Sequence, residues 1–194
     1  YAWPINDDMS NYKNADGSIR WLYDMSTLTD AEKLDVPMNP NWSRYMDHSV
    51  TKSTRNVLQG NIDWKPIKNL VLSGKVSYDK SNSSYDAYTT PRFSRDDFAD
   101  ASLLNSNLSL LGQYIYSPSN SSMLSLQGLA TYKFNLTKDI DVNLLAGADM
   151  KDIQSVDANM GGAEFLLPGD FYSMQNVGTI TTDGSYDYAM SLYH

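Results

Sequence analysis

Apolar and polar residues alternate with a period of two along four segments of the chain, and the segments come in pairs. In the first, Leu58, Gly60, Ile62 and Trp64 oppose Gln59, Asn61, Asp63 and Lys65. In the second, Leu70, Leu72, Gly74, Val76 and Tyr78 oppose Val71, Ser73, Lys75, Ser77 and Asp79. The next pair repeats the design. Leu124, Leu126, Gly128, Ala130, Tyr132, Phe134 and Leu136 alternate with Ser125, Gln127, Leu129, Thr131, Lys133 and Asn135. Ile140, Val142, Leu144, Ala146, Ala148 and Met150 then alternate with Asp141, Asn143, Leu145, Gly147, Asp149 and Lys151. Strict alternation of this kind predicts strands with one apolar and one polar face.

The connections follow a rule of their own. Lys65 to Asn69, with Pro66 placed in the turn, and Thr137 to Asp139 are short and polar. Long segments, 80–122 and 152–185, follow each hairpin. The expected order is a loop region over 1–42, a hairpin over 43–79, a long loop over 80–122, a hairpin over 123–151, a long loop over 152–185 and a further strand from 186 to 194. Residues 43–56 are read as an upward extension of the first strand. The alternating runs are roughly 9–11 residues long, enough for a tilted strand to cross a bilayer. Short turns at one end and long loops at the other are the arrangement of outer-membrane barrels. The fold class is therefore all-β: antiparallel up-and-down strands with short periplasmic turns and long extracellular loops, part of a large transmembrane β-barrel. Trp64, Tyr78 and Phe134 stand at strand ends, where aromatic girdles anchor barrels at the membrane interface. A soluble surface β-domain that binds carbohydrate, with the apolar faces packed as a sandwich, is the alternative.

Within the first forty residues, Thr29-Asp-Ala-Glu32 is a capping-box pattern and predicts a short helix over Asp30 to Leu34. Asn14-Ala-Asp-Gly17 is a turn: the calcium-loop pattern fails, because Tyr12 and Tyr23 stand where it needs acids. The chain opens on Tyr1-Ala-Trp-Pro4 and closes inside an alternating run, so an internal piece of a larger barrel is expected.

Composition narrows the function. The net charge of −8 argues against a nucleic-acid partner, which needs a basic stripe. The chain has no cysteine, hence no disulfide framework and no thiolate metal site. The longest apolar run falls well short of a transmembrane helix, which says nothing against a barrel. His48 and His194 lie in no metal-ligand spacing, and no nucleophile elbow or phosphate-binding loop is present. Gly161-Gly162 fits a turn or bulge better than a phosphate cradle. Asp7-Asp8 and Asp96-Asp97 are adjacent acids in polar loops, a solvated surface more often than a glycosidase pair. No enzyme activity, metal or cofactor is expected.

Fourteen tyrosines and four tryptophans give the loops an aromatic character. Tyr85, Tyr88, Phe93, Tyr114 and Tyr116 are the candidates for contact with substrate or partner, since such rings stack on ligands or pack against a neighbouring protein. Leu103 to Leu111 is expected to be a buried loop element.

Four stretches carry a resemblance: Asn39-Pro-Asn-Trp42, "GNIDWKPIKNLVLSGKVSYD" (Gly60–Asp79), "LATYKFNLTKDIDVNLLAGADM" (Leu129–Met150) and "GGAEFLLPGDFYSMQN" (Gly161–Asn176). In order and spacing they resemble the barrel region of SusC/RagA-type TonB-linked outer-membrane proteins of Bacteroidetes. The resemblance implies a roughly 22-stranded barrel around a plug. It implies import of glycan fragments or peptides, energised by TonB through parts absent from this chain. A SusD-like surface lipoprotein would act as lid, and the location would be the outer membrane. Apolar strand faces would then meet membrane lipid, and polar faces the lumen.

Overall fold

The computed structural model describes residues 7–167 and 171–193. The expected loop start at Trp3-Pro4, the Pro168–Asp170 part of the later loop and His194 lie outside the described residues. Five strands form one sheet in the order of the chain: β1 (His48–Ile67), β2 (Leu70–Thr89), β3 (Gln113–Thr137), β4 (Ile140–Phe165) and β5 (Val177–Tyr193). Each strand pairs with its sequence neighbour, so the sheet is an antiparallel meander. No described helix is long and apolar enough to cross a membrane.

The strands are longer than the alternation indicates. β3 and β4 reach 25 and 26 residues, more than twice the ~9–11 that a bilayer needs. The expected loop 80–122 shrinks to residues 90–112, and the loop 152–185 to residues 166–176. Residues 80–89 and 113–122 are rich in Ser, Asn and Tyr and polar on both faces, so no binary pattern marks them. They are strand because their neighbours offer backbone partners. The turns are shorter too: Lys68-Asn69 joins β1 to β2, and Lys138-Asp139 joins β3 to β4. Pro66 therefore lies inside β1 rather than in the turn.

The fold divides into two compact units. The first holds Tyr1–Thr51, Tyr85–Ser117 and Asn159–Asp183. Here Thr29 caps α1 (Asp30–Leu34) with both halves of the capping box formed, as expected. Helix α2 (Pro40–Met46) takes residues 43–46 of the segment read as an extension of the first strand, whereas 48–56 are strand as expected. Asn39 explains it: its side chain accepts from Asn41 N at 3.0 Å, and Pro40 occupies the first helical turn, where no N–H is needed. Asn39 is itself fully buried and donates to Met9 O at 3.1 Å. Asn14 and Gly17 form the expected turn, with Gly17 N donating to Asn14 O at 3.0 Å.

The core of this unit is a cluster of Phe93, Phe98, Leu104 and Leu111, against which Trp21, Met25 and Leu34 pack. Short 3-10 helices over Ala101–Ser106 and Leu108–Leu111 deliver Leu104 and Leu111 inward while Leu103 stays exposed, so the expected buried loop element is buried only in part.

The second unit holds Lys52–Ser84, Pro118–Ala158 and Gly184–His194. Its described residues are strand joined by the two short turns. Its register is fixed by small residues facing large ones: a Cβ built at Gly74 would lie 3.4 Å from Ile62, and one at Gly60 would lie 3.5 Å from Val76.

Candidate functional site

In the second unit, cross-strand pairing gathers the apolar positions onto one face. Leu58, Gly60, Ile62 and Trp64 of β1 share it with Gly74, Val76 and Tyr78 of β2. Large side chains here are uncovered: Leu58 is 70% exposed, Ile62 69% and Trp64 61%. Leu126, Leu136, Ile140 and Leu144 are exposed on β3 and β4, as are Tyr186, Tyr188 and Met190 on β5. No described residue of the unit is a buried large apolar side chain. Soluble surfaces rarely leave a contiguous apolar area of this kind open to water.

The opposite face is mostly polar and laced together, although Val57, Leu129 and Leu145 are exposed on it as well. Arg55 forms an ion pair with Asp79. Ser73 Oγ donates to Asp63 at 2.6 Å, and Asn135 Nδ2 donates to Asp141 at 2.7 Å. Lys151 stands 3.7 Å from Asp149. Of the three expected interface anchors, Trp64 and Tyr78 are exposed, and Phe134 lies against Tyr132 with ring centres 5.6 Å apart.

In the first unit, the five expected contact residues do not form one site. Tyr85 and Tyr88 lie three apart on β2 and so point to opposite faces. Tyr88 is stacked between His48, at 5.3 Å, and Tyr172, at 4.5 Å. Tyr172 in turn meets Phe165 at 5.1 Å. Tyr114 donates its hydroxyl to Asp86 at 3.2 Å, which places it on the Tyr88 side of β2; Tyr116, two further on, shares the face of Tyr114. Burial and then the Asp86 carboxylate hold the Tyr114 hydroxyl above the usual tyrosine range. Phe93 is buried, its ring stacked on Trp21 at 4.9 Å and edge-on to Phe98 at 5.1 Å. Its aromatic ring serves the core, and a loop aromatic is indistinguishable from a ligand contact until its distant partner Trp21 is known.

Three polar links unannounced by the sequence shape this unit. Arg95 grips Glu164 with two donors, Nη2 to Oε2 at 2.8 Å, and this pairing holds the Glu164 carboxyl below the usual range. Asp47 accepts from Thr90 N at 2.9 Å and from its hydroxyl at 3.1 Å. Buried Asn176 closes the 166–176 connection, donating to Leu167 O and Phe171 O and accepting from Leu167 N.

The acid pairs resolve into structural roles. Asp7 binds Arg20 at 2.9 Å, and Asp97 accepts from Ser94 N. Gly161-Gly162 is neither turn nor cradle. It lies within β4, where a Cβ on Gly162 would come within 2.3 Å of Val177, so the β4–β5 approach requires its absence. Among the described residues no group of three or more His, Asp or Glu is placed to hold a metal.

An antiparallel meander with two-residue turns, uncovered apolar positions on one face and a networked polar face is the construction of a barrel wall. Solved structures share this fold, two of them from one transporter. A chain of the RagAB peptide transporter superposes with a TM-score of 0.59 at 17% identity. A chain of the RagAB peptide importer in the "closed-closed" state does so with 0.60 at 16%. Each alignment covers 92% of this chain and 18% of the solved one. The likeness is one of fold, and it agrees with the SusC/RagA resemblance seen in the sequence. No family model and no curated protein matches the chain.

Proposed function

We propose that this chain is a stretch of wall and extracellular loops in an outer-membrane nutrient importer of the SusC/RagA kind. The uncovered apolar face of the second unit carries this reading, because in water it has nothing to bury against and in a bilayer it is already solvated. The strand halves of this unit cross the membrane, with the Lys68-Asn69 and Lys138-Asp139 turns on the periplasmic side. The long connections after β2 and β4 are extracellular and meet substrate and a SusD-like lipoprotein lid. The fold likeness to a peptide transporter favours peptides as cargo, with glycan fragments as the second class. Energy comes from TonB through other parts of the barrel. The chain does no covalent chemistry in this reading.

The test is fractionation and uptake with the full-length transporter that contains this chain. It should partition with the outer membrane, migrate as a heat-modifiable band and import short peptides. A species that is monodisperse in buffer without detergent would instead support a soluble carbohydrate-binding β-domain.

A further inference from the structure

The first unit contains a cavity of about 440 Å³ that the transporter reading leaves without a role. Its size lies within the range of small-molecule sites. One wall is aromatic and apolar: Trp21 stacked on Phe93, with Ile19 and Met25 beside them. Asn14 and Ser18 add polar atoms.

The charges around it are unequal in their commitments. Lys33 is held by Asp30 Oδ1 at 3.0 Å and by the carbonyl of Asp97, and it lies over the Phe98 ring. The Asp97 carboxylate accepts from Ser94 N at 2.6 Å and from its hydroxyl at 3.0 Å. Arg92 also lines the cavity. Its backbone N–H is bonded to Leu110 O at 2.8 Å, yet its guanidinium has no ion pair and no hydrogen bond among the described residues. Of the other four arginines, Arg20, Arg55 and Arg95 each grip a carboxylate, and Arg44, without an ion pair among the described residues, lies over the Tyr45 ring. Arg92 as a residue is half-buried, and its guanidinium offers five donors in a fork that fits a carboxylate. In a chain with 23 acidic and 15 basic residues, an uncommitted arginine at a cavity stands out chemically.

We propose that this cavity binds a small molecule carrying a carboxylate on an apolar or aromatic body. The carboxylate sits on the Arg92 guanidinium, and the body lies against Trp21, Phe93 and Met25. The free C-terminus of a short peptide and the carboxylate of an acidic sugar share this chemistry. The proposal deepens the importer reading by naming a ligand class, and rests on it only for the source of the ligand. Binding is measured without transport, so either can fail alone.

The experiment is calorimetric titration of the full-length transporter that contains this chain, in detergent, with two matched pairs: N-acetyl-Leu-Phe against its C-terminal amide, and glucuronate against glucose. The acid of at least one pair should bind tenfold or more tighter than its neutral partner, and the pair that discriminates identifies the source. Arg92→Gln should abolish that preference. Ser26→Trp, a bulky group at an exposed position on the cavity lining, should block binding altogether and serves as the second variant if Arg92→Gln does not fold. Equal binding of acid and neutral probes in both pairs overturns the proposal, as does no binding of any probe. So does an acid preference that survives Arg92→Gln, or binding unchanged by Ser26→Trp.

Discussion

Arg95 holds Glu164 in a left-handed backbone conformation: the residue has φ 67° at the end of β4, and its carboxylate receives two guanidinium donors. A non-glycine residue in this region is strained, and the strain persists where the surroundings over-determine it. Here the guanidinium and the bond from Glu164 N to Gly112 O, at 2.9 Å, do so together. Glu164→Ala loses the pair and keeps the strain, whereas Glu164→Gly loses the pair and relieves it. Thermal unfolding in detergent should therefore rank Gly above Ala by about 1 kcal/mol. Equal stability of the two variants would show that the backbone there is unstrained.

The same pair gives a pH dependence with a definite sign. Arg95 lowers the Glu164 carboxyl in the folded state, chiefly by hydrogen bonding; burial opposes this, and the charge of Arg95 adds a smaller lowering. The unfolded chain then binds the proton more readily in acid. The stabilisation is complete above the ordinary glutamate value of about 4.3 and is lost as pH falls through the lower folded value. Amide hydrogen exchange of residues 90–112 should accelerate across that acid window in the native chain. In Arg95→Ala the loop should exchange faster already at neutral pH and lose that acid step.

Two glycines at positive φ separate strain from crowding. At Gly17, φ 87°, a Cβ would meet nothing within 4 Å. At Gly112, φ 90°, it would lie 2.2 Å from Phe165 Cδ2 and 2.7 Å from its Cε2. Gly17→Ala should cost about 1 kcal/mol of unfolding free energy. Gly112→Ala should cost about 2–4 kcal/mol, because the Phe165 ring must also move. Similar costs at both positions would contradict the packing of Phe165.

Tyr88 and Tyr85 should behave differently despite their proximity in sequence. Tyr88 is sandwiched between His48 and Tyr172, whereas Tyr85 is 40% exposed with no ring partner among the described residues. Tyr88→Ala should raise exchange at residues 171–176 and cost about 0.5–1.5 kcal/mol per lost stack. Tyr85→Ala should leave that segment unchanged. If Tyr85 nonetheless matters for uptake, its role is contact with ligand or partner.

What the sequence disclosed and what it concealed divide along physical lines. The α1 capping box, the Asn14–Gly17 turn and the faces of the hairpins are set by local rules, and they were legible. Strand residues 80–89 and 113–122 were not, since polar residues on both faces leave no period to read. Pro66 misled for a related reason: where β1 ends is set by its pairing with β2, which no local residue signals. The aromatic candidates scattered because period two separates Tyr85 from Tyr88. Phe93 found a partner, Trp21, that only tertiary folding brings near. The Arg95–Glu164 pair and the uncommitted Arg92 rest on long-range contacts and left no signature in the local pattern.

The central claim is that the apolar face of β1 and β2 is solvated by lipid, and adjacent residues test it most directly. Ile62 lies on that face, and Asn61 on the polar one. In the full transporter, Ile62→Arg should impair barrel assembly by about 2–4 kcal/mol if the site is near mid-bilayer, and less toward the interface. Asn61→Arg should be tolerated far better. The measurement is the folded, heat-modifiable fraction of each variant in outer-membrane preparations. Strong loss for Ile62→Arg with near-normal assembly for Asn61→Arg is the predicted result. Equal tolerance of both, or greater damage from Asn61→Arg, would contradict the assignment of this face to lipid.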